Sequence, residues 1–85
     1  MKQTQKIALI TGGSRGIGFG IAKALAESGY DVAINGMRPE EMVTEVLESL
    51  RTYGGKAIYC QGNVADKLDR ERILEKVTVE LGSLN

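Results

Sequence analysis

The chain has 85 residues, 42% hydrophobic and 26% charged, an ordinary globular balance, and 11 Lys plus Arg offset 11 Asp plus Glu. Zero net charge removes any broad electrostatic case for nucleic acid or an anionic membrane surface, and the longest apolar run, Ile7 to Ile10, is far too short to cross a bilayer. There is no histidine, so imidazole chemistry would have to come from elsewhere, and the lone Cys60 cannot form an internal disulfide, which fits a reduced, cytoplasmic setting.

In chain order, Met1 to Lys6 holds no apolar run of secretory-signal length. Lys6 to Thr11 (KIALIT) is near-continuously apolar, as in a strand covered on both faces of a parallel sheet. From Ile17 to Ser28, Ile17, Ile21 and Leu25 recur at four-residue spacing with Ala22 and Ala24 between them, which predicts one helix face ended by Gly29. Asp31 to Asn35 (DVAIN) reads as a second buried strand. Pro39 fits the first turn of a second helix, with Glu40 and Glu41 near its positive dipole end. Val43, Val46, Leu47 and Leu50 form its apolar stripe, and Gly54-Gly55 stop it. Lys56 to Gln61 (KAIYCQ) is a third strand. Asp66 can cap a last helix running to about Leu81, with Ile73, Leu74, Val77 and Leu81 inward and Gly82 as terminator.

The order β-α-β-α-β-α implies a parallel α/β sheet with right-handed crossovers. Two crossovers moving the same way give strand order 3-2-1 with the first two helices on one face. The third helix should cross to the other face, leaving strand 1 as an apolar edge in need of a partner. Complete domains of this kind run to ~150 residues or more.

The informative segment is Thr11-Gly12-Gly13-Ser14-Arg15-Gly16-Ile17-Gly18, which joins the first strand to the first helix. Gly12 permits the turn out of the strand, Gly16 lets main chain approach a pyrophosphate, and Gly18 lets helix pack close to strand. The free N–H groups and dipole of the helix start then attract phosphates. Two competing glycine motifs fail. For G-x-G-x-x-G, the third glycine falls on Ile21 or Lys23. For a P-loop, Phe19 stands where lysine is required.

TGGSRGIG resembles the cofactor motif of the short-chain dehydrogenase/reductase family, and especially its 3-oxoacyl-(acyl-carrier-protein) reductase-like members. The similarity continues through DVAINGMRPEE and CQGNVAD and so covers essentially the whole chain. The resemblance implies that residues 1–85 are the N-terminal NAD(P)-binding half of a single Rossmann domain. It implies a cofactor site built from Gly12, Ser14, Arg15, Gly16, Ile17, Gly18, Arg38, Asn63 and Val64. It further implies an oxidoreductase acting on a small carbonyl or acyl-thioester substrate, and a homo-oligomer, dimer or tetramer.

In this fold, an acidic residue ending the second strand would hold both ribose hydroxyls and repel a 2′-phosphate. Here Asn35-Gly36-Met37-Arg38 stands there, and Asp31 lies at the opposite end of the strand, roughly 13 Å away at ~3.3 Å per residue. By resemblance, Arg15 and Arg38 can contact a 2′-phosphate, which favours NADP(H) over NAD(H). Asn63 occupies a position where the family usually places an aspartate against the adenine; its amide oxygen can still accept, without charge assistance. Tyr30, Tyr53, Tyr59 and Cys60 read as structural. The family's catalytic Tyr-x-x-x-Lys pair is absent, since the residues four after each tyrosine are Ile34, Ala57 and Asn63, and its orienting serine and N-N-A-G segment are absent too. Three readings stay open at this point: the cofactor-binding half of a carbonyl reductase, a non-catalytic nucleotide-binding or regulatory module, or an interaction domain that binds no nucleotide.

Overall fold

A computed structural model describes residues 5–12 and 16–82. Its elements are β1 (Ile7–Thr11), α1 (Gly16–Glu27), β2 (Asp31–Gly36), α2 (Thr44–Arg51), β3 (Ala57–Gln61) and α3 (Lys67–Glu80). The strands are parallel in the order β1-β2-β3, the sheet expected from the alternation of strands and helices. The central strand β2 buries Asp31 to Asn35 without a break, because helices cover both of its faces. The register pairs Ile7 with Asp31, Thr11 with Asn35 and Asn35 with Cys60, so the C-terminal ends of all three strands lie side by side.

Alternation along the strands feeds two cores. On one face Ile10, Val32, Ile34, Ala57 and Tyr59 pack with Ala22 and Ala26 of α1, with Val43, and with Leu47 and Leu50 of α2. On the other face Ile7, Ala33 and Cys60 pack with Ile73 and Val77 of α3. The third helix therefore covers the opposite face from the first two, as expected from the sequence. At eight residues α2 is too short to be stable alone. Burial of Leu47 and Leu50, about 1.5–3 kcal/mol per side chain, holds it on the sheet.

Three sequence expectations are corrected in detail. Pro39 does not open a helix: its ψ of 151° is extended, a short 3₁₀ turn follows over Glu40–Met42, and α2 begins only at Thr44. The expected stripe survives the shift, with Val43, Leu47 and Leu50 buried. In α1 the inward residues are Ala22 and Ala26, flanked by half-buried Phe19 and Leu25. Ile17 and Ile21 are 85% and 48% exposed. Small alanines let the helix axis come close to the sheet, so the helix turns its alanine side inward and leaves the isoleucines out. In α3, Leu74 is exposed while Ile73 and Val77 are buried. Asp66 caps α3 as expected, its Oδ1 accepting from the Asp69 N–H at 3.0 Å.

Candidate functional site

The three strand ends open into one cleft of about 440 Å³, lined by Thr11, Gly12, Asn35, Gly36, Met37, Arg38, Gly62, Asn63 and Val64. Four of the residues expected from sequence thus come together: Gly12, Arg38, Asn63 and Val64. Gly16, Ile17 and Gly18 form the first turn of α1 and do not line the cleft itself. Ser14 and Arg15 lie outside the described residues.

Gly12 and Gly16 take φ of +67° and +52°, the left-handed region that favours glycine, and a Cβ at either would meet no described atom within 4 Å. At these two glycines the main chain is bare of side chain and meets no other described atom, the form a pyrophosphate needs in order to approach N–H groups at a helix start. The residues present therefore fit a dinucleotide. The cleft is continuous with Gly12 and would take the adenosine end, and the first turn of α1 would take the phosphates.

The cleft walls are held from behind. Gly12 N–H donates to the Asn35 carbonyl at 2.8 Å, tying the exit of β1 to β2. Asn35 is itself 3% exposed, and its Nδ2 donates to the carbonyls of Cys60 at 2.8 Å and Gly62 at 3.0 Å. Gly62 N–H donates back to the Gly36 carbonyl at 2.9 Å. The segment carrying Arg38 is anchored by the Tyr59 hydroxyl, which donates to the Arg38 carbonyl at 2.7 Å. Burial pushes the Tyr59 phenol above its ordinary pKa, so it stays a neutral donor; burial likewise raises the Cys60 thiol, consistent with a core side chain.

The Asn63–Val64 wall is fixed from α3. Asn63 N–H donates to Asp69 Oδ2 at 2.8 Å, and Arg70 Nη1 donates to the Val64 carbonyl at 2.9 Å. The Asn63 N–H, with help from the Arg72 guanidinium paired to the other oxygen, holds the Asp69 carboxyl below the usual carboxylate range. Asn63 Oδ1 accepts from the Ala65 N–H at 2.9 Å. A main-chain N–H can only donate, so this bond fixes which way round the amide stands. The oxygen keeps a second lone pair free to accept.

Sequence reading did not single out Asn35, Asp69 or Arg70 as supports of the cleft. Asp69 had a local signal, since Asp66 and Asp69 have the three-residue spacing of a helix-start box. Asn35 had none, because its partners are carbonyls 25 and 27 residues away. Asp31 lies at the far end of β2, where its Oδ1 accepts from the Lys56 N–H at 2.8 Å, and it takes no part in the cleft. No described helix is long and apolar enough to cross a membrane, and no described acidic, histidine or cysteine cluster could hold a metal ion.

The family model described as short chain dehydrogenase matches residues 6–85. A 3-oxoacyl-[acyl-carrier-protein] reductase of Staphylococcus aureus strain Mu50 is 42% identical over 85 residues, which is 100% of this chain and 34% of that protein. A crystal structure of 3-oxoacyl-[acyl-carrier protein] reductase from Brucella melitensis in complex with NAD aligns with a TM-score of 0.87 at 34% identity, covering 99% of this chain and 32% of that one. A short chain dehydrogenase from Burkholderia cenocepacia J2315 in complex with NADP aligns with a TM-score of 0.85 at 40% identity, covering 94% of this chain and 33% of that one. The chain spans about a third of the length of the curated relatives it matches.

Proposed function

The chain belongs to the short-chain dehydrogenase family, and on that footing we propose that it is the N-terminal, NADP(H)-binding part of a single Rossmann domain in a carbonyl reductase. The observation that carries this reading is the cleft at the ends of the three strands. It runs on from the bare Gly12 turn, and its lining holds Arg38 and no carboxylate. An acidic residue there would repel a 2′-phosphate, whereas an arginine fork suits one.

Gly12, Ser14, Gly16, Ile17 and Gly18 would hold the pyrophosphate and the adjoining ribose. Arg15 and Arg38 would hold the 2′-phosphate, and Asn63 and Val64 the adenine. The dinucleotide, when bound, supplies a hydride to a carbonyl carbon. This chain's residues bind and orient it, and the catalytic serine, tyrosine and lysine would come from another part of the protein. The substrate would be a small carbonyl compound, with a 3-oxoacyl thioester favoured by the similarity to 3-oxoacyl reductases. The setting would be cytoplasmic and the assembly a homo-oligomer.

Titration of the whole protein that carries these residues with NADPH and with NADH, before and after Arg15→Ala, tests the reading. A charge-assisted contact contributes ~1.5–3 kcal/mol, so the variant should lose about ten-fold or more in NADPH affinity and little for NADH. Equal loss for both would show that Arg15 does not read the 2′-phosphate. No binding of either dinucleotide by the unaltered, folded protein would overturn the reading altogether.

A further inference from the structure

We infer that Asn35 is the positioning residue of the nucleotide cleft: it sets the affinity for the adenosine half of the cofactor by locking the three strand ends together. This rests on the reading of the cleft as a dinucleotide site, and it concerns a side chain that acts through its neighbours. Asn35 is one of two buried polar residues among those described. The other, Asp31, closes the opposite end of the sheet on Lys56.

Beyond the strand ladder, three bonds of Asn35 reach different parts of the cleft, one through its main chain and two through its side chain. Its carbonyl accepts from Gly12 N–H, which fixes the turn beneath the phosphates. Its Nδ2 donates both to Cys60 O, the last inward carbonyl of β3, and to Gly62 O, the first carbonyl of the loop that carries Asn63 and Val64. Main-chain pairing alone cannot fix that loop, because β3 ends at Gln61 and the ladder closes with Gly62 N–H on Gly36 O. The side-chain amide therefore extends the β2–β3 pairing by one step, to the point where the adenine wall begins.

Asparagine suits this place for a specific reason. Two carbonyls converge on one position, so the group between them must offer two donors and carry no negative charge. A primary amide does so, a carboxylate offers none, and a hydroxyl offers one. The same group leaves the β2 end without a carboxylate, so one residue type serves both the lock and the tolerance of a 2′-phosphate.

The test uses the whole protein that carries these residues, with 2′,5′-ADP as a probe of the adenosine half. Asn35→Leu keeps the branched shape and removes both donors; Asn35→Ser keeps one. In samples matched for circular dichroism and cooperative melting, Asn35→Leu should weaken 2′,5′-ADP binding roughly ten-fold or more, with Asn35→Ser in between. A lowered melting temperature with unchanged affinity in the folded protein would show that Asn35 only stabilises the fold, and the inference falls. In the unaltered chain, the Asn35 side-chain amide protons should exchange slowly and shift in NMR spectra when 2′,5′-ADP is added. Fast-exchanging protons that do not move overturn the inference even if neither variant folds. If the unaltered, folded protein fails to bind 2′,5′-ADP, NADPH and NADH alike, the cleft is not a nucleotide site and the underlying reading fails first.

Discussion

Gly16 combines a left-handed φ of +52° with no described atom within 4 Å of where a side chain would stand. These two properties make separate, measurable predictions. An alanine forced into that conformation costs roughly 1–2 kcal/mol of backbone strain, a modest loss in melting temperature. Its methyl group would also occupy the place of closest approach to a pyrophosphate. Gly16→Ala should therefore stay folded, melt a few degrees lower, and lose measurable dinucleotide binding in a titration. A folded variant with unaltered affinity would remove Gly16 from the site. Asp69 predicts a pH effect at the same scale. Its carboxyl is held below the ordinary carboxylate range chiefly by the Asn63 N–H. That support is complete above the ~3.9 of a free aspartate and is lost as the pH falls through the lowered folded value. Protection of the Asn63 amide, its exchange measured against that of an unstructured amide at the same pH, should therefore fall on acidification below about pH 4, by reference to the free aspartate. Asp69→Asn should flatten that dependence, and an unchanged acid profile in the variant would show that another group fixes the loop.

At the scale of elements, α3 offers the clearest prediction. Its Asp66 cap is made by an exposed side chain to the Asp69 N–H, and Asp69 in turn secures Asn63. Asp66→Ala should destabilise the protein by about 1 kcal/mol, seen in denaturant melts, and should loosen the Asn63 wall with it. Elements were legible in the sequence wherever residue type and period agreed. The apolar run Ile7–Ile10, the DVAIN strand and the Asp66 cap are local signals, and each has its expected place. The face of α1 was not legible. Ile17 and Ile21 repeat at helical spacing just as Ala22 and Ala26 do, and hydrophobicity alone favours the larger residues. What decides the face is how closely the helix can approach the sheet, a tertiary property. The break before α2 escaped for a similar reason, since Pro39 is compatible with a helix start and with extended chain alike. The cleft was half legible: its glycines and loop residues follow from strand–turn–helix order. Asn35 did not, because its role exists only once β2 and β3 are paired.

For the molecule as a whole, the two edges of the sheet are built differently. The outer carbonyls of β3 are occupied by cations: Arg51 donates through Nε and Nη2 to Ala57 O at 3.1 and 2.8 Å, and Lys76 Nζ donates to Tyr59 O at 2.6 Å. Charged side chains on an edge discourage another strand from pairing there. Among the described residues no side chain hydrogen-bonds the main chain of β1 in this way, and Ile7, Ala8, Leu9 and Ile10 carry no charge. The faces differ as well, with two helices over one and α3 alone over the other. A chain of this size has only a few kcal/mol of stability to lose, and an open apolar edge with a thinly covered face would consume that margin. Residues 1–85 prepared by themselves should therefore be molten, oligomeric or insoluble. The Leu9 amide, on the side of β1 turned away from β2, should become protected from hydrogen exchange only when strands from elsewhere pair with β1. Sedimentation and calorimetry at low micromolar concentration make the check. A sharp cooperative melt from a monomer would show that β1 tolerates solvent and that these residues form a self-sufficient domain.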